Sequence, residues 1–127
     1  MKSFRELQIV EIAGSPGAAF AAKMSADYGA SVVQLEPPGG DPLPPNGEPR
    51  GGVGTEFAFF NTSKRSVELD LGTDSGLRQL DRLLLVADAV IESSAPNPLT
   101  LVSADLGDDQ LVRVYVSPFG LNGPYAR

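Results

Sequence analysis

Gln8-Ile9-Val10-Glu11-Ile12-Ala13-Gly14-Ser15-Pro16-Gly17, continued by Ala18 to Tyr28 and then by Ser31-Val32-Val33-Gln34-Leu35-Glu36, is the stretch that decides the fold. Gln8 to Ile12 reads as a short strand ended by Ala13-Gly14, and Gly14-Ser15-Pro16-Gly17 is a turn signal. From Ala18 to Tyr28 the pattern becomes helical. Ala18, Ala19, Ala21, Ala22 and Ala26 are strong helix formers, while Phe20, Met24 and Tyr28 fall four apart and form one bulky stripe. The alanines elsewhere allow the helix to lie close against a sheet. Gly29 sits where a helix ends on a glycine, and Ser31 to Glu36 reads as a buried strand. Such a β-α-β unit implies a parallel pair joined by a right-handed crossover.

Downstream, Pro37 to Gly54 holds six prolines and six glycines, so neither a helix nor a central strand persists there. It reads either as a ligand or partner loop or as a disordered excursion. Order resumes at Glu56-Phe57-Ala58-Phe59-Phe60, a strand-like run whose phenylalanines are expected in the core, an aromatic acyl pocket being the other reading. Ser66 to Leu71 alternates, placing Val67, Leu69 and Leu71 on one face of a strand. Thr73 is placed to cap the next helix, with Asp74 in its first turn and Leu77, Leu80, Leu84 and Ala87 at helical spacing. Ala89-Val90-Ile91-Glu92 is a further strand, Asn97 to Leu106 is read as a short helix begun near Pro98, and Leu111 to Ser117 is the last strand. Phe119 to Tyr125 is a glycine-rich exit.

Strands alternate with helices, so the expected class is α/β, a Rossmann-like, mainly parallel sheet with flanking helices, forming one domain over 1–127. The last strand has no helix after it. A doubly wound sheet covers both faces, so the sheet is expected to be incomplete: a fragment, or a subunit completed by other chains.

At 127 residues with 42% hydrophobic content, the chain is long enough for one domain with its own core. It has no cysteine, hence no disulfide framework or thiolate chemistry, and no histidine, the commonest general base and zinc ligand. No metal is expected. The net charge of −6, with ten scattered basic residues and only Lys64-Arg65 adjacent, argues against a nucleic-acid surface. No apolar run approaches the ~20 residues that cross a membrane, and the start lacks a signal peptide's apolar stretch. The expectation is a cytoplasmic location without membrane contact.

Three segments then carry a resemblance. Ala26-Asp27-Tyr28-Gly29-Ala30-Ser31-Val32-Val33-Gln34-Leu35-Glu36-Pro37-Pro38-Gly39-Gly40-Asp41-Pro42 resembles the "ADLGADVVKVEPPGGDP" segment of family III coenzyme A transferases, the CaiB/BaiF type. Asn61 to Leu71 is similar to that family's "N-x-x-KRSV-x-LDL", and Ser117-Pro118-Phe119-Gly120-Leu121-Asn122-Gly123-Pro124-Tyr125 to its "SGFGQTGPY". The three follow one another in family order across nearly the whole chain.

The resemblance implies coenzyme A transfer between carboxylic acids, or isomerisation of an acyl-coenzyme A in the racemase relatives. It implies a covalent route in which an aspartate attacks the thioester. That aspartate is expected beyond the "GPY" signature, past Arg127, so no catalytic residue is assigned. The family's interlocked dimers imply a homodimer or a partner transferase chain. Coenzyme A is the implied ligand.

By the same resemblance, Lys64 corresponds to a lysine near the coenzyme phosphates, with Asn61 and Ser63 as polar contacts beside it. The other reading of Lys64 is a solvated surface lysine, and Arg65 reads equally as the partner of a carboxylate such as Asp70. Ser15 and Gly17 lie in a turn that the family places near the thioester. A turn opening a helix favours an anion, though glycine there also serves a tight turn alone, and the G-x-G-x-x-G spacing is absent. Departures stand beside these matches. Ser93-Ser94 replace the "NF" of "ENF-x-PG", and Leu101 and Pro37 stand where some members carry basic residues. Three readings therefore remain: a coenzyme A-binding enzyme portion, an accessory chain pairing with a full-length transferase, and an unrelated Rossmann-like domain for another nucleotide.

Overall fold

The computed structural model describes residues 3–12, 14–41, 54–93, 111–120 and 122–124. After a 3-10 turn at Phe4–Glu6, the elements run β1 (Gln8–Ile12), α1 (Pro16–Asp27), β2 (Ser31–Glu36), α2 (Thr55–Asn61), β3 (Arg65–Glu68), α3 (Asp74–Leu84), β4 (Ala89–Glu92) and β5 (Val112–Tyr115). The strands form one sheet in the order β3-β2-β1-β4-β5. Every pairing is parallel, with Glu11 opposite Gln34 on one side and Ile91 on the other. The α/β class and the parallel sheet expected from the sequence are both present.

Strand periodicity separates two apolar layers. Ile9, Val32 and Ile91 face α1 and meet Ala18, Ala22 and Ala26. Val10, Ile12, Leu35 and Val90 face the other way and, with Leu69, meet Leu80 and Leu84 of α3. Both helices start on side-chain caps: Ser15 Oγ accepts from Ala18 N, with Pro16 in the first turn, and the Thr73 side chain accepts from Gly76 N. Each cap answers one of the amide groups that a helix start leaves without an internal partner.

The run at 56–60 departs from its expected form. It is part of helix α2, and none of the helix's residues is buried. Phe57, Phe59 and Phe60 share one side only loosely on a helix, because positions two apart point in different directions. Phe59 stacks on Phe20 of α1 with ring centroids 6.4 Å apart, yet stays 53% exposed. A wholly buried set of phenylalanines is therefore corrected to a surface-facing aromatic pair that joins α2 to α1.

β3 ends at Glu68, but Val67, Leu69 and Leu71 all reach the α3-side core as the alternation required. Arg65 donates to Ser31 Oγ at 2.6 Å rather than to Asp70. At the far edge, Val112 and Val114 of β5 stay exposed on the α1 side. The short helix expected over Asn97 to Leu106, and residues 42–53 of the proline- and glycine-rich segment, lie outside the described residues. Among the described residues, no helix is long and apolar enough to cross a membrane.

Candidate functional site

In this strand order the chain turns one way from β1 to β2 and β3, then crosses to β4 and β5 on the other side of β1. The reversal between β1 and β4 makes the strands' C-terminal ends there a switch point, the place at which open parallel sheets carry a ligand crevice. Ser15 and Gly17 lie there, at the turn from β1 into α1. Ser15 holds that turn with both its oxygens: Oγ accepts from Ala18 N at 3.3 Å and the carbonyl from Ala19 N at 3.1 Å. A Cβ at Gly17 would stand 3.2 Å from Val116 Cγ1, just past β5. Glycine thus lets the α1 start and the β5 exit approach across the crevice. Glu92 ends β4 and Ser93 follows it, and Glu92 Oε2 and Ser93 Oγ are buried without a hydrogen-bond partner among the described residues. Burial pushes the Glu92 carboxyl up to about 7, with the Arg113 charge on β5 pulling the other way.

A second polar cluster lies under α1 and α2. Glu11 belongs to the central strand and points, like Ile9, toward α1, where it is fully buried. Lys64 Nζ sits 2.6 Å from Glu11 Oε2, and the two side chains are 1% and 0% exposed. The same ammonium donates to the Ala19 carbonyl of α1 at 3.0 Å and to Asn61 Oδ1 at 3.3 Å. Asn61 Nδ2 and Gln34 Nε2 both donate to Asp41 Oδ2, at 3.0 and 2.7 Å. Burial pushes the Glu11 carboxyl up to about 7; the Lys64 ammonium opposes that shift and the Asp41 charge adds to it. Beside this chain of contacts opens a pocket of about 170 Å³ lined by Gln34, Glu36, Phe57, Asn61, Arg65 and Ser66 together with Lys64.

Of the residues singled out from the sequence, Ser15 and Gly17 are together at the crevice, and Asn61 and Lys64 are together in the cluster. The Lys64–Ala19 bond joins the two groups. Ser63 stands apart, exposed in the turn between α2 and β3 with a φ of 69°. Reasoning from the sequence passed over Glu11, Gln34 and Asp41. The available signal was positional: Glu11 and Gln34 occupy inward-facing positions of central strands, where an apolar residue is the rule, so each calls for a buried polar partner.

Comparison with known proteins agrees with this architecture. The family model described as CoA-transferase family III matches residues 5–127. The chain is 33% identical to the succinyl-CoA:(R)-benzylsuccinate CoA-transferase subunit BbsE of Thauera aromatica, covering 98% of this chain and 33% of that one. It is 32% identical to the succinyl-CoA–D-citramalate CoA-transferase of Chloroflexus aurantiacus, over 94% of this chain and 32% of the relative. A crystal structure of a CAIB/BAIF family protein from Brucella suis superposes with a TM-score of 0.82 at 30% identity, over 97% of this chain and 35% of that one. The chain thus spans about a third of the length of the relatives it matches. With a family model matched from residue 5 to residue 127 and a solved CAIB/BAIF protein superposing at a TM-score of 0.82, the chain belongs to CoA-transferase family III.

Proposed function

We propose that this chain forms the N-terminal coenzyme A-binding part of an acyl-CoA transferase that moves coenzyme A between carboxylic acids. The observation that carries the reading is the Ser15–Gly17 turn, which opens a twelve-residue helix at the β1/β4 crevice of a chain matched along its length by the family. The residues fit the thioester end of the coenzyme. Gly17 lets the α1 start close against Val116 at the crevice, and a helix start offers amide donors and a positive dipole end to a carbonyl oxygen or an anion. Asn61 and Ser63 belong to the same proposal as polar contacts on the β2–β3 side, where Lys64 is held inward beside Asn61. The coenzyme, when bound, supplies the thiol on which the acyl group travels. The chain's own part is to hold that ligand at the sheet edge, and the nucleophilic aspartate expected of the family is assigned to no residue here.

The relatives' names supply the ligand to try, since two of them act on succinyl-CoA. One is named a subunit, which favours, as a second reading, an accessory chain that binds and pairs while another chain performs the transfer. A homodimer, or a partner transferase chain, and a cytoplasmic location go with the proposal. The test is isothermal titration of the chain with coenzyme A and with succinyl-CoA, repeated on Gly17→Val. Saturable heat is expected for the natural chain. The valine, wedged toward Val116, should abolish that heat while the far-ultraviolet spectrum is kept. No heat from the natural chain at millimolar ligand would overturn the reading.

A further inference from the structure

We propose that Lys64 is a positioning residue: clamped by buried Glu11, it fixes the first turns of α1 and thereby the Ser15–Gly17 turn. The inference rests on the coenzyme reading above and deepens it. A lysine ammonium has three hydrogens to donate; here it hydrogen-bonds the Ala19 carbonyl and Asn61 Oδ1 and stands in an ion pair with Glu11. Turning Lys64 outward to a phosphate would leave the Glu11 carboxylate buried alone. Breaking a buried pair is strongly unfavourable, and the bonds to the Ala19 carbonyl and Asn61 would be lost with it, whereas a phosphate returns one charge-assisted hydrogen bond. The inward arrangement wins.

What that arrangement holds in place follows from the helix. The face α1 lays on the sheet is Ala18, Ala22 and Ala26, a run of methyl groups with no long side chain to interlock with the strands. Such a face resists separation better than it resists sliding. A directional bond onto the Ala19 carbonyl supplies the missing constraint. It does so four residues from Ser15, whose own carbonyl takes the Ala19 amide. From Glu11 in the sheet the constraint passes through Lys64 and Ala19 to the turn that meets the ligand. Asn61, tied in turn to Asp41 and so to Gln34, holds the lysine from the other side.

The decisive variant is Glu11→Gln, because a direct phosphate role and a positioning role predict opposite signs. Were Lys64 a phosphate contact, removing its internal counter-charge would leave coenzyme A affinity unchanged or raise it. A positioning role predicts a weaker Kd, by about five- to tenfold for one lost anchoring contact. It also predicts an unchanged dependence of Kd on ionic strength for Lys64→Met, since no ligand contact is lost. Unaltered or tighter binding by a folded Glu11→Gln chain overturns the proposal, as does a flattened salt dependence in Lys64→Met. Should either variant fail to fold, the natural chain gives the answer by nuclear magnetic resonance. On saturation with coenzyme A the Ser15 and Gly17 amides are expected to shift while the Glu11 carboxyl carbon does not, and a moving Glu11 signal sinks the idea. Absence of any binding by the natural chain refutes the coenzyme reading itself and takes the positioning role with it. Binding with an indifferent Glu11→Gln refutes the positioning role alone.

Discussion

Ser63 shows what a single backbone angle can decide. Its φ of 69° lies in the left-handed region, where an L residue is disfavoured by roughly 1–2 kcal/mol. Nothing in the surrounding contacts makes a side chain there necessary: the residue is exposed, in the turn that carries Thr62 and Lys64 from α2 into β3. Glycine relieves the steric cost and gives back part of the gain through a freer unfolded chain. Ser63→Gly should therefore raise stability by about 0.5–1 kcal/mol, and Ser63→Val, β-branched and poorly suited to positive φ, should lower it by about 1–2 kcal/mol. Urea midpoints at constant slope would show this. A valine variant as stable as the natural chain would mean that the turn relaxes freely.

At the scale of elements, the approach of α3 to the loop before it is the tightest found at any described glycine. A Cβ added at Gly76 would sit 1.9 Å from the Asp70 carbonyl oxygen. That oxygen cannot retreat easily, since it accepts from both the amide and the hydroxyl of Thr73. Alanine at this helical position would gain about 1 kcal/mol of intrinsic propensity, but the clash forces α3 away from Leu69 and the sheet. Gly76→Ala is expected to cost a net 1–3 kcal/mol or more, read from thermal or urea unfolding, and a neutral outcome would show that the loop yields. The elements themselves were largely legible in the sequence. β1-α1-β2 followed from the turn at Gly14 to Gly17 and the alanine-rich helix, and α3 from Thr73 and its leucines. The strand-like reading of 56–60 failed because a short apolar run carries no period of its own and length alone could not arbitrate. Its true form depends on tertiary contact with Phe20. The candidate site was legible in halves. Ser15, Gly17, Asn61 and Lys64 stood out by turn chemistry or by motif, whereas Glu11 became visible only once strand register set it under α1 beside Lys64, fifty-three positions along the chain.

Across the whole molecule, the two buried carboxyls make stability depend on pH in a direction opposite to the usual acid denaturation. Glu11 and Glu92 lie on opposite faces of the sheet, one toward α1 with Lys64 and Asp41 near it, the other on the α3 side within reach of the Arg113 charge. For both, burial outweighs the neighbouring cation and raises the carboxyl from 4.5 to about 7. In the unfolded chain these groups release their protons near pH 4.5, while the folded chain keeps them until about 7. Across that window the native state binds more protons, so a rise in pH favours unfolding. The contribution is fully present below pH 4.5 and is lost as pH climbs through 7, at up to roughly 1.4 kcal/mol per pH unit for each group. The chain's net charge of −6 adds self-repulsion of the same sign as further carboxyls ionise. Urea unfolding at pH 5 and pH 7 should therefore give the higher midpoint at pH 5. Glu92→Gln, an amide of nearly the same shape in place of a neutral acid, should remove about half of the difference while leaving the pH 5 value close to that of the natural chain. Glu11 is the harder case, since its proton and the Lys64 ion pair compete for the same oxygen, and any shallower slope in the Glu92→Gln chain measures how far the lysine keeps Glu11 ionised. A midpoint that is flat or rises between pH 5 and pH 7 would show that both carboxylates find compensation in the folded state that their burial denies them here.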